Sequence, residues 1–288
     1  MARKAIEDSV AKPLRISTEE ATKAIIGRAF EMVAGVIADS GAELQRDLSK
    51  HTLFAYGGNG GLFACGVAEK AGLNSVLLFG LGPVFCAFGS SVSDICHVYE
   101  RSVPATALAN GGVSWIRTVL EEMKAEGVKD LLGEGIRPDN LSHAIEIEVS
   151  AKGRPAVAVP CSELSLRTDK ELQAALASGL RMAGGAQSAE ISLELIRVSV
   201  KKAMSKPRLA ERPMQGPDSS HARAGSRAVF WGSRGGEAQI YRWESLQPGN
   251  RVEGCAVLEG VNTTYFVPEG WAMVVDRFGN GALSRSSK

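Results

Sequence analysis

Hydrophobic and polar positions along the 288-residue chain switch between two periods, and each switch marks an element. Residues 1–16 mix charges with small side chains and read as a polar lead-in. Ser17 and Glu20 form a capping-box pair, in which hydroxyl and carboxylate satisfy first-turn N–H groups reciprocally. Beyond them Ile25, Ile26, Ala29, Phe30, Val33, Val36 and Ile37 recur at three- and four-residue spacing. That spacing predicts an amphipathic helix, punctuated by Gly41. Thr52 to Tyr56 is a short β-prone run that breaks into Gly57-Gly58-Asn59-Gly60-Gly61. Helical spacing resumes through Leu62, Cys65, Val67 and Ala68, stops near Gly72, and Ser75 to Phe79 follows as a buried strand. Strand, glycine turn, helix, strand is one α/β crossover unit.

Downstream, 113–125 predicts a second amphipathic helix. Ile145, Ile147 and Val149 alternate with Glu146 and Glu148, a strand with one wet face. Lys152-Gly153 reads as a hairpin turn into 156–159, Thr168 opens a helix to about Met182, and Ile191 to Val200 is a further strand. Between Lys201 and Arg227, Pro207, Pro213 and Pro217 sit among basic residues and predict a solvated linker. From Ala228 to Leu283 short β runs alternate with Pro248-Gly249, Glu269-Gly270 and Gly279-Asn280-Gly281 turns. The expected organisation is an α/β lobe over 1–200, a basic linker over 201–227 and a small all-β module over 228–288.

Composition narrows the function classes. Lys+Arg 33 against Asp+Glu 32 leaves a formal charge of +1, so no electrostatic reason exists to expect nucleic acid or an anionic membrane as partner. No apolar run approaches the roughly 18 residues of a spanning helix. The first residues lack an apolar signal region, and a cytoplasmic protein is expected. Cys65, Cys86, Cys96, Cys161 and Cys255 form no CxxC pair and read as reduced, mostly buried thiols. His51, His97, His143 and His221 are too scattered for a metal cage built by this chain, and no metal site is expected.

The glycine turn is the strongest candidate site. Its missing Cβ atoms let a ligand approach the backbone, and the helix behind it aims N–H groups and a positive dipole end at the same spot. The dinucleotide fingerprint would need glycine at position 63, which is Phe63, and no GxxxxGK[ST] string occurs. On pattern alone, a ligand loop and a tight structural turn both stand. Asp94 and His97, three apart, are weaker catalytic candidates: an oriented base, or a metal ligand with its supporting carboxylate. A structural hydrogen bond at a strand end is the preferred reading of that pair. Cys65 and Cys86 read as buried packing, Trp271 as an anchor of the β module, and Glu253 and Glu259 as solvated. No AMKM-like segment marks a biotin lysine, and Met123-Lys124 falls in a charged helix.

Several ordered segments carry a resemblance. Residues 54–64, Phe-Ala-Tyr-Gly-Gly-Asn-Gly-Gly-Leu-Phe-Ala, resemble the FGGAGPLHA segment of the hydantoinase A/oxoprolinase family. Pro83 to Gly89 and Asp94 to Tyr99 resemble its PGVFSAFG and DVRHDY segments. Leu246 to Gly249, Glu253 to Glu259 and Val267 to Trp271 resemble LxPGDxIxGPAIIEE and VPPGW, and Phe278-Gly279-Asn280 closes the set. The family includes 5-oxoprolinases, N-methylhydantoinases and ATP-dependent acetone and acetophenone carboxylases. It implies a partial actin-like α/β lobe, with Gly57, Gly58, Asn59, Gly60 and Gly61 supporting the adenosine end of ATP. The match covers the C-terminal part of a family subunit, and the phosphate loop of the DxGGT kind is absent. It therefore implies a subunit of the small, epsilon type found with acetophenone carboxylation. Larger carboxylase subunits would supply the phosphate side with Mg or Mn, and the complex would take a ketone and bicarbonate without biotin. An assembly role, or half of a hydantoinase or oxoprolinase, is the alternative. The family's Pro, His and Arg are here Gly61, Phe63 and Cys96, which puts any catalytic role of those positions in doubt.

Overall fold

A computed structural model describes residues 2–104, 112–151, 156–182, 191–231 and 234–285; the turn expected at Lys152-Gly153 lies outside them. Helices α1 (Ala2–Ile6), α2 (Lys12–Leu14) and α3 (Thr18–Glu43) precede strand β1 (Thr52–Ala55), helix α4 (Gly60–Ala71), strand β2 (Ser75–Leu78) and helix α5 (Phe85–Ser91). Next come β3 (Ile95–Ser102), α6 (Gly112–Gly133), β4 (Leu141–Ala151), β5 (Val157–Cys161), α7 (Asp169–Met182) and β6 (Ile191–Lys202). The chain then continues through β7 (Arg223–Trp231), β8 (Arg234–Arg242), β9 (Arg251–Glu253), β10 (Ala256–Gly260), β11 (Thr263–Val267), β12 (Trp271–Val275) and β13 (Gly281–Arg285). It is a mixed α/β fold, as the pattern predicts.

Its division differs from the expected one. Residues 1–91 and 207–288 form one unit, and residues 92–206 form the other. In the first, a five-stranded sheet runs β1-β2-β13-β12-β9, and a four-stranded sheet runs β11-β10-β8-β7. β1 and β2 are parallel, whereas β13 lies antiparallel to β2, with Gly281 opposite Leu78 and Ser284 opposite Ser75. The C-terminal β segment is thus no body of its own. It completes the sheet begun by the crossover, because β2 is buried at Val76 and Leu78 and needs a partner on its second edge. Residues Ala64, Cys65 and Ala68 of α4, Leu258 and Tyr265, and Trp271 and Met273 of β12 share one core with β2.

Two other expectations change. The polar lead-in is helical, with a π-turn over Glu7–Ala11 between α1 and α2, and Ala11 buried. Lys201 and Lys202 end β6, and Arg223 to Arg227 begin β7, so the irregular stretch is shorter than expected. That stretch is tied down: the Arg212 N–H donates to Arg277 O at 2.9 Å, and the Arg251 N–H to Pro217 O at 2.9 Å. Asn250 Nδ2 donates to Gly216 O and Asp218 O, and Asn250 is 2 % exposed. Backbone carbonyls of the proline segment are spent on a buried amide, which a solvated linker would leave to water.

The second unit is an antiparallel sheet ordered β3-β6-β4-β5. Ile145, Ile147 and Val149 are buried beside Ile196, Val198 and Val200 of β6, in one core with residues of α6 and α7. Glu146 points the other way and pairs with Arg197 at 3.2 Å, as the alternation predicts. In the first unit the capping box of α3 is present: Ser17 N–H donates to Glu20 Oε2 at 2.8 Å, and Glu20 N–H to Ser17 Oγ at 3.1 Å. Gly41 lies inside α3, two residues before its end. Among the described residues no helix is long and apolar enough to cross a membrane.

Candidate functional site

The parallel pairing of β1 and β2 puts their carboxyl ends side by side, the place where α/β sheets bind ligands. From the end of β1 the chain turns through Gly57, whose φ of +84° is a left-handed conformation that glycine adopts without strain. The Gly57 N–H donates to Gly82 O at 2.8 Å, joining the turn to the loop that follows β2. The Gly80 N–H donates to Asn280 Oδ1 at 3.1 Å, joining that loop to the turn before β13. Asp276 holds this third turn, accepting from the N–H groups of Phe278 and Asn280, both at 2.8 Å. Three motif segments, the last some 200 residues after the first two, therefore meet at one end of the sheet.

The glycines of the turn have different tasks. A Cβ on Gly61 would sit 2.0 Å from Tyr265 Cδ1, and one on Gly82 2.9 Å from the Tyr265 hydroxyl. That hydroxyl donates to Phe79 O at 3.1 Å, and burial pushes its pKa up to about 12. Gly61 and Gly82 are packing glycines, shaped around one buried phenol. At Gly58 a Cβ would meet nothing within 4 Å, and at Gly60 only the Ala55 backbone at 3.8 Å. Thr263 Oγ1 donates to Gly58 O at 3.1 Å and fixes the turn from the β11 side. Asn59 occupies the N-cap of the 12-residue α4, and its side chain makes no cap bond. Gly58, Asn59 and Gly60 thus line an open cradle at a helix N-terminus, where backbone N–H groups and the dipole favour anionic or strongly polar ligand groups.

Sequence reasoning found the turn but missed what shapes it. Tyr265, Thr263, Asp276 and Asn280 lie in β11 and the last turn, and no local spacing links them to residues 57–61. Phe63, where the family has His, packs edge-on to Phe30 of α3 at 6.0 Å. Beside the turn Phe54, Phe79, Phe85 and Tyr56 form a chain of ring contacts, with Phe79 and Phe85 stacked at 4.2 Å.

Asp94 and His97 take separate partners in the second unit. Lys206 Nζ donates to Asp94 Oδ1 at 2.6 Å, and the Met204 N–H to the same oxygen at 3.0 Å. His97 Nε2 lies 3.3 Å from Glu134 Oε2. The pair makes no oriented base, because each side chain already has its own partner. The Lys206 bond, then the Met204 N–H, hold the Asp94 carboxyl below its usual value of 3.8. The stabilising effect of this pairing is present above pH 3.8 and is lost as pH falls through the lower folded value. Lys206→Met should move the Asp94 pKa upward toward 3.8, read by carboxylate NMR titration; an unchanged titration contradicts the assignment.

Of the remaining candidates, Cys65 is buried and its thiol pushed up by burial, whereas Cys86 is exposed rather than buried. The exposed position follows from α5, a short helix with no buried residue. Trp271 is 1 % exposed and its Nε1 donates to Glu69 Oε1 at 2.7 Å, so it anchors the core as expected. Glu253 and Glu259 are solvent-facing, paired with Arg251 and Arg227. Among the described residues no group of three His, Cys, Asp or Glu is placed to hold a metal ion.

Comparison with known proteins agrees with the motif resemblance. The acetophenone carboxylase gamma subunit of Aromatoleum aromaticum is 27% identical over 298 residues, covering 98% of this chain and 40% of that protein. This relative is a gamma subunit, which differs from the epsilon type that the motif resemblance implies. The acetone carboxylase beta subunit of Xanthobacter autotrophicus is 27% identical, and the caprolactamase subunit alpha of Pseudomonas jessenii 26% identical; each is matched over 94% of this chain and 40% of its own length. The chain therefore spans about two fifths of the length of these relatives. The crystal structure of the ATP-dependent caprolactamase from Pseudomonas jessenii superposes with a TM-score of 0.77 at 22% identity, over 99% of this chain and 43% of that one. A nucleotide-free acetone carboxylase structure gives 0.73 at 22% identity, over 98% and 42%. The hydantoinase/oxoprolinase model matches residues 1–99 and the hydantoinase/oxoprolinase C-terminal domain model residues 178–279, together more than half of the sequence. With its glycine turn and its closing β segment both matched, the chain belongs to the hydantoinase/oxoprolinase family.

Proposed function

We propose that this chain contributes the adenosine-side wall of a nucleotide site in a multi-subunit ATP-dependent enzyme that carboxylates a ketone, of the acetophenone-to-benzoylacetate kind with bicarbonate as carbon source. The observation that carries the reading is the cradle at Gly58, Asn59 and Gly60, open where the neighbouring glycines are filled by Tyr265. Bound ATP would supply phosphoryl activation. This chain's own part is to seat the nucleoside end against the turn, with main-chain groups held in place by Gly82 and Thr263. The groups that grip the terminal phosphates, with Mg or Mn, belong to the remainder of the enzyme, on whichever polypeptide carries it. Positioning of those phosphates is what phosphoryl transfer depends on. The relatives named as carboxylase subunits support the reaction class, and the cradle supports the role.

A second reading has one observation in its favour. A caprolactamase subunit matches over 94% of the chain, and a caprolactamase of the same organism is described as ATP-dependent, which supports a chain that serves ATP-driven opening of a cyclic amide. The test separates the two. The purified chain alone should hydrolyse ATP negligibly; added to the larger subunits it should be required for ATP-dependent consumption of acetophenone with bicarbonate. Full ketone turnover by the larger subunits without this chain contradicts the proposal, and turnover of a lactam in place of the ketone selects the second reading.

A further inference from the structure

In the second unit, helix α6 and the short 3₁₀ turn over Glu163–Leu166 enclose a pocket of about 340 Å³. Every residue that lines it falls between Arg117 and Arg167, in the stretch between the two segments that the family models match. Along α6, Arg117, Glu121 and Lys124 recur at four- and three-residue spacing and so share one face. The facing turn is braced by two serines: the Ser162 N–H donates to Ser165 Oγ at 3.0 Å, and the Ser165 N–H to Ser162 Oγ at 3.3 Å.

Charge inside the pocket is unevenly matched. Lys124 Nζ donates to Glu121 Oε1 and to Glu163 Oε1, both at 3.1 Å, from a side chain only 15% exposed. One ammonium thus occupies both carboxylates. Arg117 and Arg167 line the same pocket, and among the described residues neither has a hydrogen-bond or ion-pair partner. Three cations against two carboxylates leave one positive charge in excess. The remaining wall is apolar: Leu120, Ile145 and Leu166 are buried, whereas Leu164 is 60% exposed.

We infer that this pocket binds a small monocarboxylate with an apolar body. Each unpaired guanidinium presents a planar fork that matches a carboxylate, and such charge-assisted bonds are stronger than neutral ones. The single excess charge selects one negative charge, because a dianion such as phosphate would also meet Glu121 and Glu163. Leu164 selects the body: an apolar group laid over it removes it from water, which a bare anion cannot do. The reaction proposed above would turn an uncharged ketone into such a monocarboxylate, so the pocket would tell product from substrate. That role rests on the proposed function; the binding does not.

Titration calorimetry of the complete chain with 3-phenylpropanoate, 3-phenylpropan-1-ol and inorganic phosphate tests the inference. The carboxylate should bind about tenfold more tightly, or better, than the alcohol, which lacks the charge, and than phosphate, which lacks the body. Arg117→Gln and Arg167→Gln, both exposed, should keep the melting temperature and each weaken carboxylate binding about tenfold. Arg137→Gln, exposed and outside the pocket, should change nothing. In the unaltered chain, nuclear Overhauser contacts should join the phenyl protons to the Leu164 and Ile145 methyls. No heat with the carboxylate, alcohol or phosphate bound as tightly, full affinity in both glutamine variants, or Overhauser contacts elsewhere would each overturn the inference. A chain that takes the carboxylate here, yet keeps its nucleotide binding in Gly58→Val, contradicts the proposed function alone.

Discussion

Gly61→Ala is expected to destabilise the first unit by about 3 kcal/mol, near the upper end of ordinary overpacking costs. The new methyl would stand 2.0 Å from Tyr265 Cδ1 and 2.7 Å from Cε1. The ring has nowhere to go: Tyr265 is 1 % exposed, its hydroxyl is bonded to Phe79 O, and Trp243 packs on it at 4.6 Å. At this chain length the change corresponds to a fall in melting temperature of roughly 6–12 °C. The double variant Gly61→Ala/Tyr265→Val should recover part of the loss relative to the summed single effects, because the clash disappears with the ring. A single substitution costing under about 1 kcal/mol, within the range of ordinary surface changes, would contradict the packing role given to Gly61.

Trp271→Ala should cost about 3–5 kcal/mol, the range for removing a buried large aromatic. Trp271 lies at the start of β12 in the core shared by α4 and β2, and its Nε1 donor is the one that Glu69 of α4 accepts at 2.7 Å. Truncation therefore empties a large volume and removes the donor that the solvent-facing Glu69 carboxylate accepts. Trp271→Phe separates the two effects. It keeps most of the ring but not the donor, and should cost about 1–3 kcal/mol, the loss attached to one such hydrogen bond. Urea unfolding followed by far-ultraviolet dichroism measures both variants. Equal costs for alanine and phenylalanine would show that the bond to Glu69, and not the filled volume, dominates.

How much of this was legible beforehand depends on range. The crossover from Thr52 to Phe79 was readable because each of its signals is local: a β-prone run, a glycine string, helical spacing, a second apolar run. So were the capping box at Ser17 and the one-sided burial of Ile145, Ile147 and Val149. The boundaries were not. Nothing near residue 92 or 206 announces that the chain leaves one unit and returns to it. The return is encoded in the pairing of β13 with β2, whose partners lie about 200 residues apart. Pro207 to Pro217 looked like a linker because proline excludes regular structure, yet irregular chain packs well when a residue such as Asn250 collects its carbonyls. The candidate site divides in the same way. Its glycines were visible as a string, but which of them pack and which stay open is decided by Tyr265, a residue of another sheet. Asp94 and His97 looked paired by spacing alone, and their partners Lys206 and Glu134 lie far along the chain.

The proposed role requires the turn to hold the nucleoside end of the nucleotide and not its phosphates. Isothermal titration of the complete chain with adenosine, ADP and Mg²⁺-ATP tests it most directly. The three should bind within about threefold of one another, a difference below 1 kcal/mol. Gly58→Val, whose Cβ would meet no neighbour within 4 Å and which should therefore leave the melting temperature unchanged, should abolish the heat of all three. A strong preference for Mg²⁺-ATP over adenosine, or binding that survives Gly58→Val, would contradict the claim.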